Sequence, residues 1–189
     1  MSLKTRFGNL GNILDFDNLT EENIYVLDSP ILTNSQFKKF KKFFSKKTKE
    51  IDCTFDISSS LKDRIESIRE EAETSVREGS TCLILSDKNI SNKKASIPSI
   101  LIVGAVHSHL VKLGLRGYCS LNVECSDALD THSFAVLIGV GATTVNPYLA
   151  IDSIYQRFEK KLFGKSDFES CVEKFKKSID AGLLKIMSK

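Results

Sequence analysis

The sequence predicts an α/β fold: a mostly parallel sheet of β-α units flanked by helices in three layers. Three observations carry the prediction. Thr81–Ser86 (TCLILS) is continuously apolar between turn signals, as a strand buried on both faces should be. Leu61, Ile65, Ile68, Ala72 and Val76 recur at helical spacing just before it. From there the chain alternates strand and helix with short linkers, which favours parallel strands joined by right-handed crossovers.

The elements follow in order. The first 33 residues read as loop-rich, with Gly8 and Gly11, a polar stretch Asp15–Asn23, and Pro30, which discourages a central strand there. Phe37, Phe40, Phe43 and Phe44 then mark an amphipathic helix capped by Asn34 or Ser35, with seven lysines between Lys38 and Lys49. Glu50–Ile57 alternates and reads as one half-buried strand, with Ile51, Cys53, Phe55 and Ile57 on one side. The helix over residues 61–77 has Ser60 and Asp63 placed as a capping box and Gly79 placed to end it. Residues 87–96 are polar loop. Pro98 opens an apolar helix ended by Gly114. Tyr118–Val123 is the next strand, 127–140 a helix for which Asp127 is a candidate cap, and Thr143–Asn146 a short strand. Tyr148–Phe163 is a helix with Leu162 on its apolar face, and Ser166 caps a last one.

Composition bounds the function. The 189 residues are 41% hydrophobic and 27% charged, with 27 Lys+Arg against 24 Asp+Glu. Such a chain can bury roughly 70% of its unfolded surface, so one domain over 1–189 is expected. The net charge of +3 is too small to mark a nucleic-acid-binding protein by itself. No apolar run approaches the ~20 residues of a membrane span, and MSLKTRFGNLGN lacks the apolar centre of a secretory signal. Both ends read as cut, so the chain is expected to be part of something larger.

Few residues suggest chemistry. Cys53, Cys82, Cys119, Cys125 and Cys171 form no C-x-x-C pair and read as buried hydrophobes in a reducing compartment. His107 and His109 sit about 200° apart on a helix and cannot share one ion there. One should face a neighbouring loop, the other the core or an interface. Gly139–Thr144 (GVGATT) has neither phosphate-loop spacing nor its lysine, and reads as close packing of a helix end against a strand. Glu124, Asp127 and Asp130 follow a strand, where α/β sheets bind ligands, but no catalytic set is distinguishable by spacing. We therefore expect no catalytic, cofactor-binding or metal-ligating residue. Two other readings remain open: a binding module using the Lys38–Lys49 helix for nucleic acid or anionic surfaces, and a hydrolase or metalloenzyme using His132, Glu124 and Asp130.

Five stretches resemble one family, the central domain of the glutamate synthase large subunit: MSLKTRFGNLGNIL at 1–14, LDSPILT at 27–33, IPSILIVGAVHSHLVKLGLR at 97–116, THSFAVLIGVGATTVNPYLA at 131–150 and GLLKIMSK at 182–189. The family often has V-H-H-H-L where this chain has His107-Ser108-His109, His-His-Phe where it has His132-Ser133-Phe134, and G-Y-G-A where it has Gly139-Val140-Gly141-Ala142. The resemblance implies a distantly barrel-like domain without cofactor, which leaves a partial barrel or a Rossmann-like arrangement for the sheet. It implies a parent enzyme that makes glutamate from glutamine and 2-oxoglutarate, using FMN, an iron–sulfur cluster and electrons from an NADPH-oxidising small subunit or ferredoxin. The fragment itself would be catalytically silent. It would position the flanking amidotransferase and FMN domains of the same chain and help to wall the ammonia tunnel. It would lie in the cytoplasm, or in the plastid stroma of a photosynthetic eukaryote, without nucleic-acid or membrane partners.

Overall fold

The computed structural model describes residues 1–7 and 25–189. The readings of Gly8, Gly11 and Asp15–Asn23 lie outside those residues. Two short strands, β1 (Thr5–Phe7) and β2 (Tyr25–Leu27), pair antiparallel. Helix α1 (Asn34–Phe43) starts from a capping box made by Thr33 and Gln36, so Thr33 is the cap and not Asn34 or Ser35. It buries Phe37 and Phe40.

The predicted strand Glu50–Ile57 is two strands. β3 (Thr48–Asp52) joins the main sheet, and β4 (Thr54–Asp56) leaves it. Asp52 Oδ1 accepts from the Thr54 amide at 3.0 Å and its hydroxyl at 2.7 Å, a local turn that competes with continuing the strand. Ile57, expected inside, is 64% exposed. α2 (Leu61–Arg77) is the expected helix, with Ser60 accepting from the Asp63 amide. β5 (Cys82–Ser86) follows. The polar loop beyond it contains a strand that was not expected, β6 (Lys94–Ser96), antiparallel to β4.

α3 (Ser99–Lys112), β7 (Ser120–Glu124), α4 (Thr131–Gly139) and β8 (Thr144–Asn146) complete the alternation. The cap of α4 is Asp130, whose carboxylate accepts from the Ser133 amide at 2.8 Å. Asp127 instead accepts from the Ser99 amide at 2.9 Å and caps α3, because Pro98 has no side-chain acceptor to offer. α5 (Tyr148–Glu159) ends earlier than expected, and Leu162 lies beyond it on the surface. α6 (Phe168–Met187) is capped by Asp167 rather than Ser166.

The central sheet is parallel throughout, in the order β3-β5-β7-β8. Each strand lies beside the preceding strand of the same sheet, with β4 and β6 set apart, and there is no reversal of direction. A Rossmann-like sheet reverses at a switch point, and this order has none. Ile31 extends it by bridging Val145 on the free side of β8, and the Val145 amide donates to the carbonyl of Pro30.

The two faces of the sheet differ. On one, Ile51, Leu83, Leu85, Leu121, Val123 and Val145 pack against α2, α3, α4 and α6 in one apolar core. On the other, Cys82 and Ile84 meet Phe7, Leu32, Phe37 and Phe40. That is the three-layer α/β arrangement the sequence predicts. The second face turns polar over β7 and β8.

Candidate functional site

The polar half of the sheet comes from an alternation. Side chains two apart on a strand share a face, so Ser120, Asn122 and Glu124 of β7 stand beside Thr144 and Asn146 of β8. Asn122 donates to Ser120 Oγ at 2.9 Å and to the Leu83 carbonyl at 3.2 Å, and accepts from Thr144 Oγ1 at 2.7 Å. Asn146 Nδ2 donates to the Leu32 carbonyl at 2.9 Å and to Asn34 Oδ1 at 3.0 Å. Leu32's carbonyl can only accept, which fixes the orientation of the Asn146 amide. Among the described residues, the Oδ1 of Asn146, a residue only 1% exposed, has no hydrogen-bond partner. An unmatched buried acceptor costs about 1–3 kcal/mol.

Glu124, 4% exposed, ends β7. Its carboxylate accepts from Ser86 Oγ at 2.7 Å and pairs with Lys88 Nζ at 2.6 Å. The Lys88 ammonium also stands over the Tyr148 ring, 5.1 Å from its centroid. Burial and the Asp87 carboxylate raise the Tyr148 hydroxyl, keeping it protonated. Asp87 accepts from the Ser126 amide at 3.0 Å and its hydroxyl at 2.6 Å. Together these residues gather at the carboxyl ends of β5, β7 and β8. A cavity of about 500 Å³ opens there, between the sheet and the helices α1 and α5.

The residues singled out beforehand do not share a site. Glu124 faces this cavity, while Asp127 and Asp130 cap separate helices on the other side of the sheet. His132 lies by a second hollow of about 230 Å³ with Ile100 and Leu137, apart from Glu124. His109 donates from Nε2 to Glu73 at 2.9 Å while its Nδ1 accepts from Arg69 at 3.2 Å, tying α3 to α2. His107 Nδ1 accepts from Arg116 at 3.1 Å, and burial, then the Arg116 charge, hold its pKa below the ordinary 6.5. So the two histidines face different neighbours, as their spacing requires. The glycine-rich turn is close packing: Gly141 has φ +121°, and a Cβ there would overlap the His107 ring. Of the seven lysines, Lys41 pairs with Glu50 at 2.7 Å and Lys49 with Glu71 at 3.0 Å. The helix carrying them stops at Phe43, so Lys46 and Lys47 sit in a turn and Lys49 in β3.

The cavity was missed by sequence reasoning. Its signal was present in S-x-N-x-E and T-x-N, where polar residues occupy one face of strands whose other face is apolar.

Fold and site define an α/β domain of sequentially wound parallel strands, with a polar cavity at their carboxyl edge. The family model for the glutamate synthase central domain matches residues 1–189. The chain is 50% identical over its whole length to the glutamate synthase [NADPH] large chain of Azospirillum brasilense, of which it covers 13%. It is 39% identical over 86% of its length to the glutamate synthase [NADPH] large chain of Bacillus subtilis, covering 11%. With the chloroplastic ferredoxin-dependent glutamate synthase of Spinacia oleracea the identity is 35% over the whole chain, which covers 12% of that protein. The chain belongs to the glutamate synthase central domain family. It spans about an eighth of the length of these relatives.

Proposed function

We propose that this chain is the connecting block of a glutamate synthase, holding the amidotransferase and FMN domains of the same polypeptide at fixed geometry and contributing wall to the path of ammonia between them. The parent enzyme makes glutamate from glutamine and 2-oxoglutarate, with electrons from an NADPH-oxidising subunit or ferredoxin. It works in the cytoplasm, or in the plastid stroma of a photosynthetic eukaryote. The flavin and the iron–sulfur cluster are assigned to the rest of that polypeptide. The five thiols of this chain do not suit a cluster: they are buried, and among the described residues no three His, Cys, Asp or Glu side chains gather to hold a metal. Burial pushes Cys53 up to about 12 and Cys82 to about 11, which disfavours the thiolate a cluster needs.

The observation that carries the reading is the apolar outer surface of α3. Its inner face fills the core with Ile102, Val103, Val106 and Leu110, yet Ile100, Leu101 and Val111 stand exposed on its outer side. A surface helix normally carries charge there. Exposed apolar side chains in such a row suit a surface that neighbouring domains cover. The test is made in the full-length enzyme. Ile100→Asp with Leu101→Asp alters only exposed positions, so the domain folds, while glutamine hydrolysis exceeds glutamate formation by about 5-fold or more as ammonia escapes. Hydrolysis and synthesis that stay stoichiometric in this variant would remove the support.

A further inference from the structure

We propose that the uncharged groove between α3 and α4 seats an apolar side chain from a part of the same polypeptide outside residues 1–189. The inference rests on the connecting role proposed above and adds the chemistry of the docked surface.

Charge is missing from this face. The chain is 27% charged, yet Ser99–Val111 of α3 and the whole of α4 contain no Asp, Glu, Lys or Arg. Helix α2, likewise buried along one face, carries charges from Lys62 to Arg77. A helix face that stays in water normally bears such charges, so two uncharged neighbours suit a surface that is covered. Between them lies the hollow of about 230 Å³, lined by the apolar Ile100, Val136 and Leu137 and the polar Asp127, His132 and Ser133. The carboxylate among these, Asp127, already accepts from the Ser99 amide at 2.9 Å. The volume lies below that of small-molecule sites and suits one large side chain. One turn beyond Ile100, a Cβ on Gly104 would meet nothing within 4 Å among the described residues. Glycine is a poor helix former, and no contact among those residues calls for it there. It leaves room for a partner's backbone to approach α3 closely.

The same features select the occupant. A charged group docked here would lose its water and find no ion to pair with, so the docked segment is apolar. The chain covers only 13% and 11% of the two bacterial large chains, which leaves most of such a polypeptide to supply it. A tethered segment acts at a high effective concentration and so outcompetes a second copy in solution.

The test is site-specific photocrosslinking in the full-length enzyme. p-Benzoylphenylalanine replaces Ile100, which is 46% exposed beside the hollow, or, as a control, the exposed Lys62 of α2. Position 100 should couple to one apolar stretch of the same polypeptide outside this domain, located by mass spectrometry, and position 62 should not reach that stretch. Gly104→Glu should cut the coupling about 10-fold, because its carboxylate would be stripped of water under the apolar partner. Ser153→Glu, at an exposed position of α5, should leave it unchanged. The proposal is overturned by coupling to a second copy, to residues 1–189 or to a charged stretch, by no coupling at all, or by equal effects of the two glutamates. The connecting role is judged separately, by the ratio of glutamine hydrolysis to glutamate formation, which can hold even where position 100 couples to nothing.

Discussion

Gly141 shows how much one residue can constrain. Its φ of +121° is a conformation that side chains with a Cβ rarely adopt, and the His107 ring occupies the space a methyl would need. Its carbonyl accepts from Arg116 Nη2 at 2.9 Å, while Arg116 Nη1 donates to the Cys119 carbonyl at 2.6 Å. One guanidinium thus pins the entry to β7 and the turn before β8. Gly141→Ala should destabilise the protein by about 2–4 kcal/mol, read as a lowered urea midpoint. Adding His107→Ala should restore only the steric part, since the backbone strain persists. An unchanged midpoint for the single variant would show that the turn relaxes freely. Glycine at this position was legible in the sequence as close packing. Its partner was not, because His107 lies 34 positions earlier and nothing local connects the two.

Among the elements, those fixed by their own pattern were the legible ones. α2 carries its periodicity, cap and terminating glycine within one stretch, and β5 carries its burial in an unbroken apolar run. Where a side chain from elsewhere intervenes, local reading fails. The division of β3 from β4 is held by Arg64, which donates from Nε to the Thr54 carbonyl at 3.0 Å and from Nη2 to that of Asp52 at 2.5 Å, and by the Ile97 amide donating to the Cys53 carbonyl at 2.9 Å. α3 shows the same dependence, its first amide satisfied by Asp127 from 28 residues away. Asp127→Ala should cost about 1–2 kcal/mol in chemical denaturation, since the Ser99 amide is buried and loses its acceptor. Asp127→Asn should recover most of the loss. Equal stability of the Ala variant would mean that another group caps α3.

At the scale of the molecule, two apolar clusters hold the sheet from both sides, and four of the five cysteines are built into them. Cys53, Cys119 and Cys125 belong to the helix-covered core, and Cys82 to the cluster beneath α1. Opening either face requires separating a helix layer from the sheet, so thiol access reports on unfolding of the whole. The native chain should react with a disulfide reagent on the order of a thousandfold more slowly than the urea-unfolded chain, at Cys53, Cys82 and Cys125 above all. Rapid labelling of any of these three in the native state would contradict the packing described.

The sequence by itself determined the class of the fold, the order of its main helices and strands, the burial of the thiols and the family. Each of these rests on patterns contained within a short window or on long stretches of matching residues. The tertiary structure decided the progressive strand order, the division of the first alternating run into two sheets, the pairing of capping carboxylates with helices, and the cavity. Glu124, Lys88, Asn146 and Asn34 come from four separate segments. Only the parallel register of β5, β7 and β8, with α1 folded over the edge, brings them together.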